Sequence, residues 1–380
     1  MKRRWLARLV ATTCAIAIMR LVVPWWCGRD GQSWYAGDAD SQRELATELV
    51  AFEQADDTRA ATPAANRFVG EWALVTHQMT ALGLAQLCLA HPEWRAWLAP
   101  VVTTAARKSF RRDMRGFGTT AWHGEDAMAS LAGDHGHAYL AYAALALGMA
   151  RLIDPAFPPD LAREHDALIE AYERRLLASP TGLIETYPGE AYPTDVAAVA
   201  AAIAVHGRAT HVSHASVLQH WAERVRAVQI DPASGLVIQR MSAATGKPHD
   251  APRASGTALA AYFAGFADRD IARLLTDGVM RQEATFFGFG AIREYAPGRT
   301  GKGDVDSGPV LLGMSVSATG FALANARAFG HRDAFVELYR TVHVFGIPVS
   351  DGDRQRYAIG GPIGNALLLA MLTSGPELAP

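Results

Sequence analysis

Gly303-Asp304-Val305-Asp306-Ser307-Gly308-Pro309 leads directly into a long apolar run over residues 310–329. This pattern, a glycine-punctuated acidic turn before a segment rich in Ala, Gly, Ser and Leu, organises the rest of the chain. Four other apolar runs downstream of residue 130 open from similar loops. They are Gly133-Asp134-His135-Gly136-His137, Ala191-Tyr192-Pro193-Thr194-Asp195, Pro252-Arg253-Ala254-Ser255-Gly256 and Gly360-Gly361-Pro362-Ile363-Gly364. We read the five loops as opening into one shared cavity, with the rest of the chain holding them there.

The apolar runs begin near residues 137, 195, 255, 310 and 363, at intervals of 58, 60, 55 and 53. Each interval is about the length of one helical hairpin, so the chain reads as a degenerate repeat. Amphipathic runs lie between them, over 159–177, 212–228, 270–282 and 333–345, with another over 92–112. A helix that is apolar all round is buried, and an amphipathic one keeps a wet face. Residues 66–89, with Asn66 as cap, supply a first buried helix. Residues 41–54, opened by a Ser41–Glu44 capping box, supply an outer one. Six inner and six outer helices predict an all-α fold, an (α/α)6 barrel of six helical hairpins. Two strand-like runs, 236–240 and 286–295, fall between an outer and the next inner helix and predict short β-hairpin flaps at the mouth. An open all-α solenoid is the competing architecture; the acidic, Gly- and Tyr-rich loops before every inner helix favour closure.

At 380 residues and 50% hydrophobic the chain can bury a large core. A net charge of −2 argues against nucleic-acid binding, which needs a basic surface. The three cysteines, Cys14, Cys27 and Cys88, are too few and too scattered for a disulfide scaffold or a cysteine metal site. Residues 1–8 are basic, and 9–26 are apolar apart from two threonines and Arg20. That segment predicts a signal anchor or signal peptide over 1–30, contact with the membrane through 9–26, and a catalytic domain outside the cytoplasm, membrane-anchored or exported to the periplasm. A polar linker and first outer helix occupy 31–65 and the barrel 66–375. Self-association is left open.

Candidate chemistry gathers in the loops. Asp304 and Asp306 are paired carboxylates of the kind that split acid and base roles; helix capping is their competing role. Residues 185–195 bring Glu185, Glu190 and Asp195 together with Tyr187 and Tyr192, and either side-chain type moves protons when buried. His135 and His137 flank Gly136. With no third ligand at metal spacing, an acid–base role for His137, tuned near neutral pH, is favoured over a metal. Trp122, Tyr142, Tyr187, Asp195, Arg293, Arg356 and Tyr357 are candidate substrate contacts, although arginines so placed more often form structural ion pairs. His211, His214 and His220, on or beside the amphipathic 212–228 run, read as surface groups. No P-loop, Rossmann glycine pattern or nucleophile elbow is present.

Several short pieces, in order over residues 66–375, resemble the catalytic domain of linalool dehydratase/isomerase, a bacterial (α/α)6-barrel family acting on monoterpene alcohols without an external cofactor. They are Gly136-His137 with Tyr142, Ile230-Asp231-Pro232-Ala233-Ser234-Gly235, Arg293-Glu294, Asp304-Val305-Asp306-Ser307-Gly308, and Arg356-Tyr357 with Gly360 or Gly361. The resemblance implies the barrel, no cofactor, and His137 as an acid–base or hydroxyl-binding group. The family's cysteines in the loop before the third inner helix are replaced here by Glu185, Tyr187, Tyr192 and Thr194. The expected function is acid–base dehydration or isomerisation of a small apolar alcohol. Glu185 or Glu190 would be the acid, His137 and Tyr192 the relay, and Asp304 or Asp306 the base. The alternatives are a glycoside hydrolase or polysaccharide lyase acting on a sugar-like substrate through paired carboxylates, and a non-catalytic, membrane-tethered binding barrel.

Overall fold

A computed structural model of the chain describes residues 2–55, 69–133, 135–303 and 307–375. It is mostly helical, with 66% helix and 8% strand. The N-terminal apolar run is a helical rod of α1 (Lys2–Ala17), a π-turn (Ile18–Val22) and α2 (Val23–Gly28). Next come α3 (Gly31–Ala36) and α4 (Ala39–Gln54). The polar linker expected from residue 31 is therefore largely helix, because Trp34 is buried at 1% exposure and ties α3 to the body of the protein. The cap of α4 is also not the expected one. Asp38, three residues earlier, accepts from the Ser41 backbone N–H at 3.1 Å and the Ser41 hydroxyl at 3.0 Å.

The chain continues through α5 (Val69–Ala90), α6 (Arg95–Phe110), α7 (Arg112–Ala121), α8 (Ala141–Ile153), α9 (Pro159–Ala178), α10 (Pro193–Thr210), α11 (Ala215–Arg224), α12 (Ala254–Ala267) and α13 (Arg269–Met280). Strands β1 (Glu283–Phe286), β2 (Phe289–Arg293), β3 (Val310–Leu311) and β4 (Met314–Ser315) precede α14 (Val316–Ala328) and α15 (Arg332–Gly346). The hairpin β5 (Pro348–Asp351) and β6 (Arg354–Tyr357) leads into α16 (Gly361–Thr373). The expected Asn66 cap of α5 lies outside the described residues.

The six apolar helices contact one another in a cycle. α5 packs on α8, α8 on α10, α10 on α12, α12 on α14, α14 on α16, and α16 returns to α5. Small side chains make this possible: α10 carries Ala197, Ala198, Ala200, Ala201 and Ala202, all buried, between two close neighbours. The amphipathic helices pack against this cycle. α6 lies against α5 and α8, α9 against α8 and α10, and α11 against α9 and α10. α13 lies against α12 and α14, α15 against α14, and α4 against α16 and α5.

The strands are antiparallel. The larger sheet has the order β1-β2-β4-β3, with Glu283 opposite Ile292 and Ile292 opposite Ser315; β5 and β6 form a separate hairpin. The expected helix from 310 begins instead at 316. Leu312 and Gly313 both have positive φ, 52° and 84°, which makes the two-residue turn that antiparallel strands favour. Ser315 then caps α14 by accepting from the Ala318 N–H at 3.1 Å. The expected strand over 236–240 is reduced to isolated bridges, Ile230 with Val237 and Ile238 with Pro252.

The turn at 231–235 closes against α13 with no room to spare. A Cβ at Gly278 would lie 2.2 Å from the Gly235 carbonyl oxygen, and Gly235 itself sits at φ +72°. Backbone cannot yield there as a side-chain end can. Gly278→Ala is expected to cost about 1–3 kcal/mol by overpacking, read as a lowered thermal midpoint with an unchanged helical circular dichroism spectrum. An unchanged midpoint would show that this turn is not held where the packing places it.

Candidate functional site

The loops before the inner helices are bonded to one another. The Ala138 N–H donates to the Glu185 carbonyl at 3.0 Å, and the Trp122 indole N–H to the Thr186 carbonyl at 3.0 Å. Ala191 and Met241 exchange backbone bonds, and the Ala254 N–H donates to the Glu294 carbonyl at 2.9 Å. The N-terminal ends of α8, α10 and α12 are thereby drawn together with the segment leading from β2.

Half-exposed positions occur in the N-terminal halves of five of these helices, at Glu71 and Val75 on α5, Asp195 on α10, Leu259 on α12, Phe321 on α14, and Ile363 and Leu367 on α16, and again towards the C-terminal ends, as at Leu89, Arg151 and Arg208. Between the two sets α5 is buried from Thr76 to Cys88 and α10 from Val196 to His206.

Asp195 stands at the centre of the polar contacts. It lies in the first turn of α10. Its Oδ1 accepts from the Tyr142 hydroxyl at 2.6 Å and its Oδ2 from the Thr186 hydroxyl at 2.6 Å. Burial raises its pKa above the ordinary 3.8; the Thr186 and Tyr142 hydrogen bonds offset only part of that effect. Sequence reasoning placed Tyr142 and Asp195 among substrate contacts, and the structure brings the two together.

Two further carboxylate–phenol pairs flank it. The Tyr187 hydroxyl donates to Glu71 Oε2 at 3.1 Å, joining the loop before α10 to the first turn of α5. The Tyr192 hydroxyl donates to Glu190 Oε2 at 2.9 Å, while Arg240 holds Glu190 Oε1 at 2.5 Å. Burial first, and Glu190 second, push the Tyr192 phenol above its ordinary pKa and keep it neutral. Glu190 is thus committed to an ion pair. Glu185 contributes its backbone carbonyl, and its half-buried side chain has no hydrogen-bond or ion-pair partner among the described residues.

His137 differs from the expectation. It is 1% exposed, packed on Trp122 with ring centroids 4.3 Å apart and the planes tilted by 30°, with Glu125 Oε2 3.8 Å from its Nε2. Burial lowers its pKa to about 4, so it is neutral at pH 7 rather than poised near neutrality. Its backbone is left-handed at φ 62°, next to Gly136 at φ 77°, where a Cβ would meet the Trp122 ring at 2.4 Å. Trp122 is 7% exposed and packs on this turn, so it offers no open platform to a substrate. Arg175, 3% exposed, fastens the same turn through the Gly133, Gly136 and Ser130 carbonyls at 3.1, 3.0 and 2.6 Å. The sequence reading passed over this clamp, which lies in an otherwise ordinary amphipathic helix.

The remaining candidates fall elsewhere. Asp304 and Asp306 lie outside the described residues, as does Asp134. Arg293 is half-buried and donates to the Glu283 carbonyl of its own hairpin at 3.4 Å. Arg356 is exposed. Tyr357 is buried at 1% against Gly346 of α15. Its neighbour Asn365 accepts from the Tyr357 N–H at 2.7 Å, so Tyr357 belongs to packing rather than to a ligand surface. A buried acid the sequence reading did not select is Glu294. Its carboxylate accepts from the Ser255 hydroxyl at 2.6 Å and the Ser255 N–H at 3.3 Å, and burial raises its pKa. Lying at the N-terminus of α12, it serves as a buried cap.

Compared with protein-family models and with curated proteins, the chain matches none.

Proposed function

We propose that the cycle of inner helices and its outer jacket form an (α/α)6 barrel, whose half-exposed inner positions line a cup open at the N-terminal end of the ring. The outer faces of these helices are covered by their amphipathic partners, so an accessible position in their N-terminal halves faces the middle. In this reading the cup is a cofactor-independent acid–base site. It eliminates water from, or isomerises, an apolar terpenoid-like alcohol, as the resemblance to linalool dehydratase/isomerase implies.

The observation that carries the reading is the Asp195 carboxyl, held by two hydroxyls at the start of α10 with its pKa raised by burial. In the acid step the Tyr142 hydroxyl, which donates to Asp195 in the resting arrangement, turns to give its proton to the substrate oxygen and takes the proton of a protonated Asp195 in its place. The C–O bond breaks with its electron pair leaving as water, and a neighbouring C–H proton passes to Glu71, aligned by Tyr187. Leu259, Phe321 and Leu367 supply apolar wall for the hydrocarbon. Asp195 thus takes the acid role that Glu185 or Glu190 was expected to fill.

The N-terminal helix supports delivery of such a substrate. Arg4–Gly28 is 25 residues of apolar helix, and its most apolar stretch is not buried at all. Where it meets the body, the Arg20 guanidinium lies 5.3 Å from the Phe287 ring centroid, and Pro24 packs beside Gly288. Phe286, Phe287, Phe345 and Ile347 are each more than half exposed. A bilayer receiving the helix would also receive these groups, and an apolar alcohol dissolved in it would have a short path to the cup.

The test is a screen of the detergent-purified full chain against terpenoid alcohols and oligosaccharides, with gas-chromatographic and chromatographic detection of product. Alkene or isomerised alcohol is expected. Product from sugars alone would replace this reading with a glycoside hydrolase or lyase.

A further inference from the structure

A second polar cluster lies on the other half of the same helices, remote from the cup. α9 contributes His165 and Asp166, and α10 contributes His206. One ligand atom from each lies within 4.8 Å of the other two. Asp195 and His206 are eleven residues apart on α10, about 16 Å along the helix, so the cluster is separate from the candidate acid–base site and does not depend on it.

We propose that His165, Asp166 and His206 bind a divalent first-row transition-metal ion, zinc above all. His206 Nε2 is 2.9 Å from Asp166 Oδ1, close enough for one ion to take both. The other ring nitrogen of His206 is 2.9 Å from His214 Nε2, and His214 Nδ1 is 2.6 Å from Glu173 Oε1. This carboxylate–imidazole–imidazole chain fixes the tautomer and orientation of His206, as outer partners of metal-bound histidines commonly do.

His165 supplies the independent observation. It is 0% exposed, and neither ring nitrogen has a hydrogen-bond partner among the described residues. A buried imidazole left unpaired is costly, and an ion at the cluster would satisfy it. The ring fits here because residue 148 is glycine, where a Cβ would come within 3.3 Å of His165 Cε1. A cleft of about 380 Å³, lined by Asp166, Glu170, Glu173, His206 and His214 among others, opens beside the cluster and can bring a water as fourth ligand. Two imidazoles, one carboxylate and a water suit zinc and its neighbours; calcium and magnesium require mostly oxygen.

Arg151 holds Asp166 in the arrangement described here. The ion displaces that guanidinium, so Arg151 competes with the metal. The bound ion then staples outer α9 to inner α10.

The full chain in detergent, stripped with chelator, is titrated with zinc sulfate by calorimetry and with cobalt chloride by visible absorption. One zinc per chain, a raised thermal midpoint and a cobalt d–d band are expected. Asp166→Asn and His206→Ala should weaken zinc binding at least tenfold, Glu173→Gln should weaken it less, and Arg151→Gln should strengthen it. Arg151 and Glu173 are half-buried in the lining of the cleft rather than in the core, so their variants decide the matter should His206→Ala fail to fold. No zinc-dependent change in midpoint overturns the proposal. So does an affinity unaltered by both Asp166→Asn and Arg151→Gln, which would put the ion on cysteine thiols or other histidines.

Discussion

Asp195→Asn is expected to lower turnover of the alcohol by about 10²- to 10⁴-fold, the range typical for loss of a positioned general acid, with the fold retained. Asparagine has the same shape; its carbonyl oxygen accepts from one of the two hydroxyls and its amide N–H donates to the other, but it has no acidic proton to give. The loss should fall mainly on kcat, because the apolar wall that binds the hydrocarbon is untouched. Tyr142→Phe should also impair turnover, as it breaks the relay while leaving the acid. Thr186→Val removes a hydroxyl that stabilises the carboxylate, so it should raise the Asp195 pKa further and move the alkaline fall of the rate profile, where the acid loses its proton, to higher pH. A purely structural Asp195 would leave that profile where it was. Turnover of Asp195→Asn within a few-fold of the parent would remove Asp195 from the chemistry.

The second large effect is acid lability, which His137 shares with the buried His165, whose pKa burial lowers to about 3. The His137 pKa is lowered from an ordinary 6.5 to about 4, first by burial and then by the balance of nearby charges. Glu125 and Asp126 raise it; Arg175 and His135 lower it. A base with a depressed folded pKa stabilises the native state fully above its unfolded value, and that stability is lost as pH falls towards the folded value. The window therefore runs from about 6.5 down to about 4, and the 2.5-unit difference is worth at most about 3 kcal/mol. The carboxyls of Asp195 and Glu294 act in the opposite sense. Their raised pKa values favour the native state at low pH and lose that advantage as pH rises through the folded values. Thermal midpoints measured in chelator from pH 8 to pH 4 should fall below 6.5. His137→Asn should flatten the fall, since asparagine tolerates the left-handed backbone at this position. Equal slopes for parent and variant would place the acid lability elsewhere.

The helical alternation was legible because it rests on periodicity. Runs of Ala, Val, Leu and Gly at intervals near 55 residues gave inner helices beginning at 141, 193, 254 and 361, close to the expected 137, 195, 255 and 363. The miss at 310 has a local cause: the Leu312-Gly313 turn overrides an apolar run that periodicity alone reads as helix. The site was legible only in part. Sequence proximity grouped Glu185, Glu190 and Asp195, but it could not say that Arg240, fifty residues on, would commit Glu190, or that Tyr142 and Thr186 would converge on Asp195. Nor does sequence distinguish a histidine that faces solvent from one that faces a neighbouring helix. His214, expected at the surface, is 8% exposed and bridges His206 to Glu173. His165 occupies an ordinary position on a charged helix, and its burial follows from Gly148 on the helix beneath it. Arg356 and Tyr357 show the converse, since strand alternation sends one to solvent and the other into packing.

A structure of the protein with a bound apolar alcohol tests the central claim most directly. The account predicts the hydroxyl oxygen within hydrogen-bonding distance of Tyr142 or Asp195, with the hydrocarbon against Leu259, Phe321 and Leu367. An alcohol bound only among Phe286, Phe345 and Ile347, with Asp195 sealed from it, would contradict that claim.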